Sequence, residues 1–243
     1  MPTPPVSNAP YLRRRAVHAQ AQQRAVMATP GVRFDTRRKC FVSRTRPTVT
    51  YRGLTRGLRA LSLSARPRAR GPAGVRAYGR RSAASIDRVI TRAIETGSYS
   101  ALRRGSEASA FFDALRAWKL RPLAAQVPVC LPAARLATAI DVIATDSRGR
   151  CVVLELKCGY EGVFERGPAA SIRTGPLRGM QNTPLLYAWV QAAVGARLYA
   201  RNAGLRAVKV AVVQLCRGEV ALYPVPAEVR AKIPAVIRAL RRV

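Results

Sequence analysis

Two runs of apolar and β-branched residues, separated by a turn, stand in the middle of the chain. Residues 137–144 and 151–157 have the composition of strands, and the Asp-Ser-Arg-Gly sequence of residues 146–149 is a turn signal, so the pair predicts a β-hairpin. Further apolar runs predict strands at residues 126–131, 207–215 and 219–225, the last two joined by a turn at Arg217 and Gly218. The second half of the chain is therefore expected to build a sheet.

Apolar residues recur at helical spacing on both sides of these strands. One helix is predicted over residues 86–94, closed by Gly97, and a second begins at the capping residue Ser106. Thr183 and Pro184 begin a third helix that runs to about residue 200, and residues 227–243 form a fourth. This order of elements predicts an α/β or α+β layered fold, with a central mixed sheet flanked by helices.

The first 80 residues have a different composition. They mix Pro, Arg, Gly, Ser and Thr with few large apolar residues, which predicts a disordered basic arm over residues 1–80 and a folded domain over residues 81–243. Such an arm could be a nuclear localisation segment, a nonspecific DNA tether or an organellar, for example mitochondrial, presequence. The sequence leaves these three readings open.

The chain is strongly basic. It has 43 Lys and Arg against 12 Asp and Glu, a net charge of +31, which predicts a polyanionic partner, and nucleic acid is the commonest. His18 is the single histidine, which excludes triads and other histidine-based acid–base chemistry. The five cysteines have no CxxC spacing, so a reducing compartment with free thiols is expected, and no apolar run reaches the roughly 18 residues of a membrane span.

The predicted hairpin carries three polar residues that suggest chemistry. Asp141 lies in its first strand, and Glu155 and Lys157 lie in its second. Since side chains alternate along a strand, Glu155 and Lys157 share one face. One Asp and one Glu can hold a hard cation such as Mg²⁺ that also touches a phosphate, and a neighbouring lysine can assist attack on the phosphorus. The pattern predicts phosphodiester hydrolysis.

Asp141, a spacer with a turn, and then Glu155-Leu156-Lys157 resemble the core of the PD-(D/E)XK nuclease superfamily. The resemblance implies a restriction-endonuclease-like core in the domain of residues 81–243, with Mg²⁺ or Mn²⁺ as the cofactor. It also implies that Asp141, Glu155 and the carbonyl of Leu156 are metal ligands and that Lys157 is the catalytic amine. Ile140 stands where the superfamily has its proline.

Gln181 and Tyr187 resemble a second motif, the Gln and Tyr of the RecB and lambda-exonuclease branch, although they are six residues apart instead of four. This resemblance implies that Gln181 positions substrate and that Tyr187 contacts nucleic acid. In outline the chain also resembles the herpesviral nuclear branch, which implies a viral protein in the host nucleus. Superfamily members often carry an acid on the helix before the hairpin, and Asp87 is a candidate because it lies nearer the apolar stripe than Glu95.

Between Lys157 and the third helix lies a long Pro-, Gly- and Arg-rich connection, in which Arg166, Arg173 and Arg178 are expected to grip phosphates. The leading hypothesis is a Mg²⁺-dependent DNA nuclease for DNA processing, recombination or repair. The alternatives are a non-catalytic basic protein that binds or packages nucleic acid and a dimeric junction resolvase. The sequence leaves open whether cleavage is endo or exo and whether RNA is also a substrate.

Overall fold

A mixed sheet of eight strands runs through the part of the chain that the computed structural model describes. The described residues are 31–38, 40–61, 73–99, 102–160, 164, 171–172, 174–205 and 208–242. The strands are β1 (Val32–Asp35), β2 (Cys40–Ser43), β3 (Thr50–Gly53), β4 (Arg121–Leu131), β5 (Leu136–Thr145), β6 (Cys151–Cys158), β7 (Lys209–Cys216) and β8 (Glu219–Pro224). The helices are α1 (Leu54–Ala60), α2 (Ala73–Thr96), α3 (Glu107–Ala117), α4 (Pro184–Asn202) and α5 (Ala227–Leu240), with a 3₁₀ turn at Pro132–Ala134.

The strand order is β1-β2-β3-β5-β6-β7-β8, and β4 pairs with β5 outside this path. β3 with β5 and β6 with β7 are parallel pairs, whereas the other neighbours are antiparallel. The predicted hairpin is confirmed as β5 and β6, and the predicted class, a mixed sheet flanked by helices, is confirmed as well. None of the helices in the described ranges combines the length and apolar character needed to cross a bilayer.

The helix caps follow from the sequence. Ser106 accepts a hydrogen bond from the N–H of Ser109 at the start of α3, and Thr183 accepts one from Leu186 at the start of α4. Each cap satisfies one of the N–H groups that a helix leaves without an internal partner. Gly97 follows the last residue of α2 with a φ of 68°, a left-handed conformation that glycine adopts without strain.

The prediction of disorder over residues 1–80 is wrong for residues 32–38, 40–60 and 73–80. The first two ranges hold β1, β2, β3 and α1, and residues 73–80 begin α2, so the predicted domain boundary at residue 81 falls inside that helix. The strands have only four residues each, which is too short for a clear alternation, and the buried apolar residues of this segment, such as Val32, Val42 and Leu58, are widely spaced. Residues 1–30, 39 and 62–72 of the predicted arm lie outside the described residues.

Both faces of the sheet are covered by helices. One apolar cluster joins α1, α4 and α5 to the side chains of Cys151 and Val153, and a second joins α2 and α3 to Val152 and Leu154. Successive residues of β6 thus point into opposite clusters, as the twofold period of a strand requires. This explains why residues 151–154 of β6 form a continuous apolar run, since a strand segment buried on both faces has no polar side.

Candidate active site at the fork between two strands

Two strands share one edge of β5 and leave a gap between them. β6 pairs with β5 from Thr145 to Val142, and β3 pairs with it at Leu136 and Ala137. The register of β5 and β6 ends at Val142 and Leu154, so that β6 turns away from β5 and continues beside β7 alone. The sheet therefore forks at Asp141, and the next residues of β6 border the opening.

Asp141 closes the fork with its side chain. Its Oδ2 accepts a hydrogen bond of 2.7 Å from the backbone N–H of Leu156. A carboxylate has thus taken the place that a backbone carbonyl holds elsewhere in the ladder. This bond fixes the Asp141 carboxylate against the Glu155-Leu156-Lys157 segment, so the sequence-predicted acid and the acid-X-lysine meet.

Glu155 and Lys157 form an ion pair on the α4 side of the fork. Lys157 Nζ lies 2.5 Å from Glu155 Oε1 and donates a second hydrogen bond to Gln191 Oε1 at 3.3 Å. Glu155 is 5% exposed, and the Lys157 side chain is 17% exposed. The amine is therefore held by two side-chain partners, and part of the Lys157 side chain stays exposed.

Asp87 and Gln126 reach the same cluster from the α2 side. The Gln126 amide donates to both carboxylate oxygens of Asp87, at 3.0 and 3.1 Å, and lies 3.4 Å from Asp141 Oδ1. Gln126 has a φ of 50° inside β4, a left-handed conformation that is rare for a non-glycine residue and is often found at functional sites. The cluster thus passes through the fork from one helical layer to the other.

The cluster contains three carboxyl groups and one amine, so its acidic groups outnumber its basic group. Burial raises the pKa of Asp87 to about 6, and the Asp141 carboxylate adds to this. Burial also raises the pKa of Asp141, against the opposing effect of Lys157. Burial and the charge of Asp141 raise the pKa of Glu155 to about 8. Burial works to lower the pKa of Lys157, but the attraction of Glu155 and Asp141 outweighs it, so this pKa is raised.

The donor chemistry of the cluster fits a hard divalent cation. Asp87, Asp141 and Glu155 supply carboxylate oxygens, the ligands that Mg²⁺ and Mn²⁺ prefer. A cation would stabilise the ionised carboxylates against the burial that raises their pKa values, and against the Asp141 charge that raises those of Asp87 and Glu155 further. Among the described residues, however, no three acidic, histidine or cysteine side chains converge closely enough to hold a metal ion. The residues fit a cation in kind and in charge, and in this structure they are arranged around Lys157.

No family model and no curated protein matches the chain. The chemistry of the fork has to be inferred from its own residues.

The remaining predicted site residues lie apart from the cluster or outside the described ranges. Gln181 is exposed in the connection before α4, and its backbone pairs with Ser171. Among the described residues, no hydrogen bond joins Gln181 to the three acids, so its predicted role in positioning substrate stays a prediction. Arg178 is exposed, as a phosphate-binding residue would be. Arg166 and Arg173 lie outside the described residues.

The interpretation of Tyr187 as a nucleic-acid contact is contradicted by its burial. Its side chain is 5% exposed, and its hydroxyl donates to the backbone carbonyl of Thr55 at 3.2 Å. A ring packed into the core between α4 and α1 cannot stack on a base, which needs an open aromatic face. Tyr187 holds α1 against α4 instead.

Sequence reasoning missed Gln191 and Gln126. Gln191 follows Tyr187 by four residues, so a Gln and a Tyr do stand at helical spacing on α4, but in the reverse order from the motif that was sought. Gln126 stands at the start of the predicted strand 126–131, where a polar residue reads as a strand boundary. The signal that could have identified it is register, since the antiparallel pairing of β4 and β5 sets it opposite Asp141.

Proposed function

We propose that this protein is a metal-dependent nuclease that hydrolyses phosphodiester bonds in DNA. The observation that carries the proposal is the meeting of Asp141, Glu155 and Lys157 at the fork, with the Asp141 carboxylate bound to the N–H of the residue between the other two. Three carboxylates and one amine that are buried or partly buried together are costly to fold unless a ligand uses them. The resemblance to the PD-(D/E)XK superfamily, carried by the same residues, supports this reading.

In the proposed mechanism Asp141 and Glu155 hold one Mg²⁺ or Mn²⁺ ion, with the Leu156 carbonyl as a further ligand. The ion would neutralise phosphate charge and make water a better nucleophile at neutral pH. Lys157, held by Gln191, would keep its proton, because its pKa is raised, and would donate to the phosphate as charge builds on it. Gln126 and Asp87 would orient Asp141 from the opposite layer.

The test is cleavage of linear and circular DNA by the purified full chain in Mg²⁺, Mn²⁺ or EDTA. The informative variants keep side-chain size: Asp141→Asn, Glu155→Gln and Lys157→Met. Each should lower the cleavage rate at least about 100-fold, the range for losing one group that stabilises the transition state. Asp113→Asn is the matched control, because Asp113 is 63% exposed and, among the described residues, forms a salt bridge with Arg116 alone. Cleavage that persists in EDTA or in Glu155→Gln would refute the assignment.

A second candidate function is nucleic-acid binding without catalysis. It is favoured by the pairing already present in the cluster, in which Lys157 neutralises Glu155 and the Gln126 amide holds Asp87, together with the net charge of +31. This candidate expects salt-sensitive binding with no metal-dependent cleavage, and it expects the three site variants to bind DNA as the wild type does.

A further inference from the structure

The C-terminal halves of α4 and α5 enclose a groove that is rimmed by arginines. Its volume is about 520 Å³, enough for a nucleotide-sized group. Arg197 and Arg201 of α4 and Arg238 and Arg241 at the end of α5 stand around it, above a floor that includes Leu198 and Ile237. None of the described residues that line the groove is acidic, and all four arginines are exposed.

Within the described residues, no carboxylate forms an ion pair with these four arginines. Every salt bridge in this part of the chain involves other partners. Arg241 also lines a neighbouring depression that contains Arg52 and Arg135. The basic surface therefore continues past the groove, around the end of β4 and the start of β5.

A competing explanation for these arginines is that they offset helix dipoles, because Arg201 and Arg238 lie in the last turns of their helices. A helix C-terminus carries about half an elementary negative charge. Two such ends would offset about one of the four positive charges. Moreover, Arg52 already donates to the carbonyl of Leu240, the last residue of α5, at 2.8 Å, so one of the two ends has its own cation. The dipoles leave most of the arginine charge unexplained.

We propose that this groove binds the phosphodiester backbone of a single-stranded nucleic acid. Arginine presents a planar fork of donors that matches phosphate oxygens, and Arg197 and Arg201 stand one turn apart on α4. The apolar floor gives sugar and base edges a surface to cover, which a groove for free phosphate would not need. Gln191, which holds Lys157 in the candidate active site, precedes Arg197 and Arg201 on α4 by about 9 and 15 Å of helix axis.

The inference shares with the proposed function only the expectation that the ligand is nucleic acid, and it does not require catalysis. It is therefore tested in EDTA, with binding as the readout. Fluorescence anisotropy of a short labelled single-stranded DNA is measured against salt concentration for the full chain, for Arg201→Gln/Arg238→Gln, and for the control Arg103→Gln/Arg104→Gln. The control removes the same charge from two exposed residues between α2 and α3.

The groove variant should reduce the slope of log affinity against log salt by about 1.4, since each lost phosphate contact on a single strand contributes about 0.7. The control should change it by less than half as much, and Arg201→Lys/Arg238→Lys should retain most of the slope. Equal changes in the groove and control variants would overturn the proposal. So would a groove variant that loses binding to polyglutamate but keeps its binding to DNA, because the groove would then fit an acidic protein partner.

A measurement on the unmodified protein covers the case in which the double variant fails to fold. Phenylglyoxal modifies accessible arginines, and mass spectrometry reports the extent at each position with and without the DNA. Arg197, Arg201, Arg238 and Arg241 should be protected by the DNA at least several-fold more than Arg103 and Arg104. Equal protection at the two sets would overturn the proposal.

Discussion

The Asp141 carboxylate accepts a hydrogen bond from the backbone N–H of Leu156 across the opening between β5 and β6, at 2.7 Å. A side chain thus completes the strand pairing at the point where the backbone ladder ends. The same carboxylate places a negative charge beside the buried Glu155 and the partly buried Asp87, and this charge contributes to the raised pKa of both. Asp141 therefore stabilises the fork by hydrogen bonding and destabilises it by repulsion.

Substitutions at Asp141 should separate these two effects. Asp141→Asn keeps an oxygen acceptor for Leu156 and removes the charge, so we expect it to be at least as stable as the wild type at pH 8, although inactive. Asp141→Ala leaves the N–H without a partner and should lower the free energy of unfolding by about 1–3 kcal/mol relative to Asn. Urea unfolding in EDTA measures the difference. Equal stability of the Asn and Ala variants would show that the hydrogen bond contributes nothing.

The pH dependence of stability should have an unusual sign at this site. Folding raises the pKa of Asp87 from 3.8 to about 6 and that of Glu155 from 4.5 to about 8. Between the unfolded and folded values the native state binds more protons than the unfolded chain, so the free energy of unfolding should fall as the pH rises from about 4 to about 8. Urea unfolding across this range in EDTA should show the fall, and Asp87→Asn should flatten its lower part.

Divalent cations should reverse this loss, because a cation can replace the bound protons. Mn²⁺ or Mg²⁺ should stabilise the protein more at pH 8 than at pH 5, where protons compete for the same oxygens. A cation effect that is equal at both pH values would contradict metal binding at Asp141 and Glu155.

Asp146 gives stability the opposite pH dependence at acid pH. Burial works to raise its pKa, but hydrogen bonds from Lys209 and Arg150 outweigh it and hold the pKa well below the usual range. The contribution of Asp146 to stability is therefore lost as the pH falls below about 4.

The sequence predicted the hairpin and its three polar residues because both depend on local rules. A turn between two apolar runs defines the hairpin, and the twofold period of a strand puts Glu155 and Lys157 on one face. Gln126 and Gln191 could not be placed this way. They reach the site from β4 and α4, and their approach depends on register and on helix packing, which leave no periodic signal in one chain. Asp87, which helical spacing had made a candidate, reaches the site from α2.

The short strands β1, β2 and β3 were missed for a related reason. Each has four residues, and their stability comes from contacts with distant elements. Val32 and Phe41 pack against Cys130 and Ala137, about a hundred residues later in the chain. Between them and α2 the sequence is rich in Arg and Pro, so composition averaged over the whole segment indicated disorder and hid the strands.

Substitutions of Gln191, inside α4, and of Gln181, before it, should have different effects on the cleavage rate. Gln191 accepts from Lys157 Nζ, whereas Gln181 is exposed and lies before the helix. Gln191→Met should reduce the maximal cleavage rate about 10- to 100-fold, the usual loss for a partner that orients a site residue, with little change in DNA affinity. Gln181→Met is the matched control and should cleave as the wild type does. A large rate loss in Gln181→Met alone would restore the motif-based interpretation.

Gly57 of α1 stands where an added Cβ would be crowded by two leucine side chains. A Cβ at this position would lie 2.9 Å from Leu240 Cδ2 and 3.3 Å from Leu136 Cδ1, and both leucines are fully buried, so neither can move away freely. Overpacking of this kind costs about 1–3 kcal/mol, while alanine gains roughly 0.5–1 kcal/mol over glycine in a helix. We expect Gly57→Ala to lower the free energy of unfolding by about 1 kcal/mol.

Gly195 of α4 is the matched control for Gly57, because it is also a buried helical glycine. A Cβ there would lie 3.7 Å from Ile140 Cγ1, which is an ordinary van der Waals contact, so Gly195→Ala keeps the helix gain without the clash and should raise stability by about 0.5–1 kcal/mol. Urea unfolding of both variants gives the comparison. Equal stabilisation by Gly57→Ala and Gly195→Ala would show that α1 is not packed against α5 and the start of β5. The position of β3 and α1 at the edge of the fork would then be wrong.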